Sequence, residues 1–169
     1  MKEPLLYLPA GLMYGSMLIA CLAALDGVWY LLKKRVLISP FKMICLGLIA
    51  AYMYTLLQQT YFSRPPGSRH SVSLILGETW QGSTRGKAYV IENVFMMIPF
   101  GFLLPAVLKP AESVFSCIPL GFLFSVCLEY AQFLSQRGHL QADDVVMNVM
   151  GTTLGYVLFC IVKFLGRNR

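Results

Sequence analysis

Five long apolar runs constrain the fold of this chain more than any other feature of its sequence. Each run is long enough to cross the ~30 Å hydrocarbon core of a bilayer as a helix, at ~1.5 Å per residue. The predicted spans are residues 8–32, 41–61, 88–108, 114–134 and 144–165. Only 13% of the 169 residues are charged, whereas a soluble domain carries about a quarter. We therefore predict an all-α integral membrane protein, a bundle of about five transmembrane helices forming a single domain over residues 1–169.

Two of the predicted spans contain prolines in their interior. Pro99 lies in the middle of the third span, and Pro119 lies early in the fourth. An interior proline removes a backbone N–H donor and clashes with the preceding turn, so we expect kinks in both spans. A polar loop is predicted for residues 63–87. Its apolar piece, residues 71–80, is too short to span and is typical of an interfacial or re-entrant segment.

Basic residues are distributed unequally between the two predicted sides of the membrane. The side of the membrane at which the first, third and fifth spans end receives Lys33, Lys34, Arg35, Lys42, Lys109, Lys163, Arg167 and Arg169. Short loops rich in Lys and Arg lie in the cytoplasm. We therefore predict an external N-terminus, a cytoplasmic C-terminus, and external positions for the 63–87 loop and the polar turn at 134–143.

The net charge of +6 is explained by this anchoring to the cytoplasmic side. Outside the apolar runs no basic patch with interleaved aromatics occurs. Nucleic acid is therefore not an expected partner.

The last three spans bring polar side chains to one depth. Asn93 lies near the outer start of the third span, Glu129 near the outer end of the fourth, and Asn148 near the outer start of the fifth. Ionisable groups in hydrocarbon cost free energy and persist where they pair or function. We therefore predict a shared polar site in the outer half of the membrane.

Further polar residues extend this predicted site. Gln132 is three residues after Glu129, and Asp144 is four residues before Asn148, so each pair shares a helix face. Arg137 and Asp143 lie in the polar turn above them.

A purely structural interpretation of these residues remains open. Asp143 and Asp144 can cap the fifth helix, Arg137 can pair with a carboxylate, and the amides can satisfy each other. Gly151 and Gly155 form a small-xxx-small pair, which lets a neighbouring helix pack closely.

Two blocks of this region resemble the VanZ-like family, which is named after a teicoplanin-resistance protein. Residues 93–105, NVFMMIPFGFLLP, are similar to the family pattern N-x-x-x-F-x-P-x-G-F-L-L-P. Residues 129–151 are similar to its E-x-x-Q, R-G and D-D-x-x-x-N-x-x-G series. Met97 replaces the usual aromatic, and Gln141 stands where an acidic residue is frequent. The resemblance covers roughly residues 93–155, within a motif-bearing core at 88–165, and implies a small bacterial membrane protein linked to glycopeptide tolerance.

Two functions fit these residues. In the first, a non-catalytic pocket facing outward binds a lipid-linked cell-wall precursor, another membrane lipid or the antibiotic. The expected ligand-binding residues are Asn93, Gln132, Arg137, Asp143 and Asn148.

In the second, an intramembrane enzyme modifies a lipid or lipid-carrier headgroup. Glu129 and Asp144 are its catalytic candidates, with Glu129 as the acid or base. Arg137 clamps a phosphate or carboxylate, and Asp143 and Asp144 orient the arginine. The two aspartates are also compatible with Mg²⁺, although we predict no metal site and no other cofactor.

A third possibility is a structural partner for another envelope protein. No nucleophile elbow, HExxH or phosphate-binding loop occurs, so the sequence does not support the common hydrolase, zinc-protease or nucleotide chemistries. Five spans without an internal repeat do not favour a transporter.

Overall fold

The structure is a computed structural model that describes residues 6–81 and 84–167. The N-terminal residues and Arg169, which enter the orientation prediction, lie outside the described residues. The first half of the chain contains α1 (Leu8–Lys33), α2 (Pro40–Leu57), a π-helical turn (Gln58–Phe62), β1 (Arg69–Ser73) and the short α3 (Glu78–Gln81). The second half contains α4 (Thr84–Val107), a 3-10 turn (Lys109–Glu112), α5 (Val114–Leu134), β2 (Arg137–Gln141) and α6 (Ala142–Arg167).

Among the described residues, five helices are long and apolar enough to cross a membrane. They are α1, α2 with its π-helical turn, α4, α5 and α6. The prediction of an all-α, multi-pass membrane protein is confirmed. The helices that hold the predicted interior prolines are continuous in the structure, with Pro99 and Pro105 inside α4 and Pro119 inside α5.

A small parallel sheet replaces part of the predicted polar loop and part of the predicted turn. Strand β1 pairs with β2 so that Arg69 lies opposite Arg137 and Ser73 lies opposite Gln141. Each strand is five residues long and is formed by pairing with a segment distant in the sequence. Local sequence pattern therefore did not identify either strand.

The chain forms two compact units, one ending at Gln59 and the other beginning at Thr60. In the first unit, α1 packs against α2 through glycines. A Cβ atom added at Gly15 would lie 2.5 Å from the backbone oxygen of Gly47, closer than van der Waals contact allows. The single domain over residues 1–169 stays a prediction.

In the second unit, α4 and α6 pack even more closely. A Cβ atom at Gly151 would lie 2.2 Å from the oxygen of Val94, and one at Gly155 would lie 2.1 Å from the oxygen of Ile98. The expectation that these two glycines allow a neighbouring helix to pack closely is confirmed, and that neighbour is α4. This contact aligns the polar residues of α4 with those of α6.

Candidate functional site

A direct hydrogen bond joins the polar residues of α4 and α6. Asn93 Nδ2 donates to Asp144 Oδ1 over 2.8 Å. Asp144 lies in the first turn of α6, and both side chains are only partly buried. The structure thus brings together two of the residues singled out from sequence, at the end of the second unit where α4 and α6 begin.

Glu129 on α5 is the most buried carboxylate of this cluster, with 4% of its surface exposed. The backbone N–H of Gln141, at the end of β2, donates to it. Its second oxygen, Oε2, is buried and has no hydrogen-bond partner in the described part of the chain. A buried acceptor without a donor costs about 1–3 kcal/mol, so this oxygen needs a specific explanation.

Arg64 supplies the positive charge of the cluster. Its guanidinium attracts both Glu129 and Asp144, which repel each other. Its Nη1 also donates to Gln132 Oε1 over 3.3 Å. Arg64 belongs to no motif that we recognised. The one available signal was its position as the first basic residue beyond the second apolar run.

A second polar pair lies one helical turn deeper. Asn148 Nδ2 donates to Ser125 Oγ over 2.8 Å, and Ser125 precedes Glu129 by four residues on α5, which is the same helix face. Asn148 is 1% exposed, and its Oδ1 is buried without a partner among the described residues. Two buried acceptors that lie about one helical turn apart, Glu129 Oε2 and Asn148 Oδ1, therefore lack donors among the described residues.

Asp143 lies beside this cluster but serves another element. Its Oδ1 accepts from the backbone N–H of Gly77 over 2.7 Å, and its Oδ2 accepts from that of Thr79 over 2.9 Å. The carboxylate thus holds the start of α3, whereas the structural interpretation expected it to cap its own helix. Both of its oxygens are already used for positioning.

Arg137 and His139 project from β2 and have local partners. Arg137 Nη1 donates to the backbone oxygen of Tyr61 over 3.2 Å, and its guanidinium lies 4.9 Å from the centre of the Tyr61 ring. His139 Nδ1 lies 2.6 Å from Ser71 Oγ across the sheet. The arginine that interacts with Glu129 and Asp144 is therefore Arg64, and the predicted role of Arg137 as a ligand clamp stays a prediction.

The described residues contain no group of three or more His, Cys, Asp or Glu side chains that could hold a metal ion. The carboxylates at the centre of the cluster are Glu129 and Asp144, and Asp143 is engaged by backbone donors. The expectation of no metal site and no other cofactor stays a prediction.

Comparisons with known proteins identify the family of this chain. A family model described as VanZ/LLP1 matches residues 41–163. No curated protein matches the chain, and no solved structure does. The matched region covers most of the chain and includes the polar cluster of Arg64, Asn93, Glu129, Gln132, Asp144 and Asn148. This match confirms the resemblance drawn from residues 93–105 and 129–151, and the chain belongs to the VanZ/LLP1 family.

Proposed function

We propose that this protein confers tolerance to glycopeptide antibiotics of the teicoplanin type on a bacterial cell. In this proposal the polar cluster binds a lipid-linked component of the cell envelope or the drug itself. Family membership supports the biological role. The chemistry of the cluster supports binding, because the spanning helices α4, α5 and α6 carry polar and ionisable side chains that are costly to place in a membrane.

One observation carries the proposal: two buried acceptors, Glu129 Oε2 and Asn148 Oδ1, lack donors among the described residues. A ligand that brings hydrogen-bond donors relieves the cost of both atoms. Asp144, Asn93 and Arg64 are less deeply buried than Glu129 and therefore form the side from which a ligand approaches. An ammonium, amide or hydroxyl group supplies such donors, whereas a bare phosphate does not. The cluster also contains two carboxylates and one guanidinium, so its net charge disfavours a phosphate.

The alternative function is an intramembrane enzyme that modifies a lipid or lipid-carrier headgroup. The free oxygen of Glu129 also favours this function, because a general base needs an oxygen that accepts a proton from substrate. The Gln141 N–H orients the carboxylate. Arg64 would stabilise negative charge on the substrate, the role that the sequence alone suggested for Arg137.

The decisive variants are Glu129→Gln and Asp144→Asn, since each keeps the shape of the side chain and removes its charge. We expect both to abolish tolerance while membrane expression and the melting temperature in detergent change little. Glu92→Gln is the matched control, because Glu92 is an exposed glutamate on α4; it should retain tolerance. Growth in teicoplanin and thermal unfolding are measured on the same strains.

Loss of tolerance in parallel with loss of protein would indicate an ion network with a structural role, because breaking a buried pair typically costs ~3–5 kcal/mol. Full tolerance in both variants would remove the cluster from the mechanism. Mass spectrometry of the lipid carriers separates the two functions. A modified lipid that disappears with Glu129→Gln indicates an enzyme, and an unchanged lipid profile indicates binding.

We also infer that the N-terminus lies outside the plasma membrane and the C-terminus in the cytoplasm, which makes the cluster face outward. The Lys and Arg residues near Lys33 and Lys163 support this orientation. In a variant without native cysteines, Ser68→Cys should react with an impermeant thiol reagent in intact cells. Reaction only after lysis would reverse the orientation and place the cluster on the cytoplasmic side.

A further inference from the structure

A pocket of about 580 Å³ lies between β1, α3, the start of α4 and Gln141 of β2, and Glu129 does not line it. This volume is within the ~300–1,000 Å³ typical of small-molecule sites. One part of its lining is polar and includes Ser71, Ser73 and Glu78, while another part is apolar and includes Leu74 and Ile75. Such a lining fits a ligand with one polar part and one apolar part.

The apolar part of the lining continues into an exposed segment, the apolar tip (residues 74–76). Leu74, Ile75 and Leu76 are 70%, 69% and 65% exposed. Three adjacent large apolar side chains in water are unfavourable, at roughly 25 cal/mol per Å² of exposed apolar surface. The tip is beside the first turn of α6, since Asp143 bonds to Gly77. This is the end at which a spanning helix leaves the bilayer, so lipid is the apolar partner available to the tip.

Several contacts hold the tip and the pocket in place. The β1–β2 ladder fixes the strand before the tip, and the two bonds from Asp143 to Gly77 and Thr79 fix the segment after it. Gly86 lets α3 lie against α4, because a Cβ atom there would be 2.6 Å from the backbone oxygen of Thr79. The pocket is therefore preformed, which lowers the entropic cost of binding.

We propose that this pocket binds the ammonium-bearing headgroup of a membrane lipid, with the apolar tip inserted into the same leaflet. Glu78 is the charged residue among the described lining residues and is oriented by a hydrogen bond from Ser73. Its carboxylate attracts a cationic group and repels a bare phosphate. The proposal is independent of glycopeptide tolerance, because Glu129, Asp144 and Arg64 do not line this pocket.

The headgroup is tested by native mass spectrometry of the full chain, titrated with phosphatidylethanolamine and with phosphatidic acid. We expect phosphatidylethanolamine to bind about tenfold more tightly than phosphatidic acid. Glu78→Gln should weaken the binding of phosphatidylethanolamine by about tenfold, because it removes one hydrogen bond to a charged group. Glu92→Gln makes the same change at an exposed glutamate on α4 outside the pocket lining and should leave both affinities unchanged. Equal affinities for the two lipids, or no effect of Glu78→Gln, overturns the proposal.

The tip is tested with an environment-sensitive fluorophore on Ile75→Cys, in a variant whose native cysteines are replaced. In phosphatidylethanolamine–phosphatidylcholine vesicles we expect a blue-shifted emission that nitroxide-labelled lipid quenches. The control is Ser68→Cys, an exposed position before β1, which should emit as in water. Water-like emission at position 75 also overturns the proposal, because the headgroup site requires the tip to reach the leaflet. The exposed side chain at 75 packs against little, so labelling should not unfold the protein.

Discussion

The helix pairs α1–α2 and α4–α6 both pack closely at glycines, but they bury different side chains. A Cβ atom added at Gly15 would lie closest to the backbone oxygen of Gly47, and one added at Gly155 would lie closest to that of Ile98. The described buried residues of α1 and α2 are glycines or apolar residues, whereas α6 buries Asn148, Thr152 and Asp143. Close packing of helices in a membrane therefore does not require the polar residues that α6 carries.

The acidic residues of the two regions show the same contrast. Asp26 on α1 is partly exposed, and its Oδ1 accepts from the backbone N–H groups of Leu37 and Ile38 over 2.6 and 3.0 Å. Glu129 is buried and keeps an oxygen without a donor among the described residues. Both carboxylates accept from backbone N–H groups, but Glu129 differs from Asp26 because its second oxygen is buried without a donor among the described residues.

The largest effects should come from glycine substitutions, which test whether the two interfaces are equally tight. Gly155→Ala forces a methyl group against the backbone of Ile98 and Phe102 and should lower the unfolding free energy by about 3 kcal/mol or more. Gly15→Ala meets the Gly47 oxygen and should cost about 2–3 kcal/mol. Melting temperature in detergent is the measurement.

Gly27→Ala is the control for both substitutions, because a Cβ atom there has nothing within 4 Å. It should stabilise α1 by about 0.5–1 kcal/mol through helix propensity. If Gly155→Ala destabilised the protein and Gly15→Ala did not, α1–α2 would pack less tightly than α4–α6. The two helix pairs would then not be equivalent.

An intermediate effect is expected from removing the two structural carboxylates, Asp143→Ala and Asp26→Ala. Each change removes two hydrogen bonds to backbone N–H groups, and each should cost about 1–2 kcal/mol, as for a lost helix cap. Amide hydrogen exchange should increase at Gly77 and Thr79 in the first variant and at Leu37 and Ile38 in the second. Unchanged exchange at Gly77 would show that β1 pairing alone positions the tip.

The smallest effect is expected at the other end of α6, where Lys163 forms an exposed ion pair with Glu112. The hydrogen bond and charge of Lys163 hold the pKa of Glu112 below its ordinary value of 4.5. The stabilisation is therefore present above pH 4.5 and is lost as the pH falls through the lower pKa of the folded state.

Glu112→Gln should thus give a small drop in melting temperature at pH 7, since exposed pairs contribute little. The drop should disappear once the pH has fallen through the pKa of Glu112 in the folded state, and also in 1 M salt. We attribute the difference between the two ends of α6 to burial and not to charge. A decrease in melting temperature as large for Glu112→Gln as for Asp143→Ala would contradict this.

Hydropathy was sufficient to predict the spanning helices, and the depth of each residue within its predicted span was sufficient to bring Asn93, Glu129 and Asn148 to one level. The fourth predicted span has the bounds of α5, Val114–Leu134, because an apolar run in a membrane has few alternatives to a helix. The parallel pairing of β1 with β2 was not predictable, since it joins segments 68 residues apart through backbone groups. Arg64 was missed for the same reason: the fold brings it to the carboxylates, and its neighbours in sequence contain no matching pattern.

The parallel sheet also sets an order for assembly of the protein during synthesis. Strand β1 leaves the ribosome before α4 and α5, whereas β2 follows both. The sheet, the Gln141 donor to Glu129 and the Asp143 contact to Gly77 can form only after the fifth spanning helix has begun to emerge. Until then Glu129 enters the membrane without the donor that orients it. Biogenesis of the second unit therefore depends on its last helix, and a truncation that removes α6 leaves the earlier spans with an incomplete polar interior.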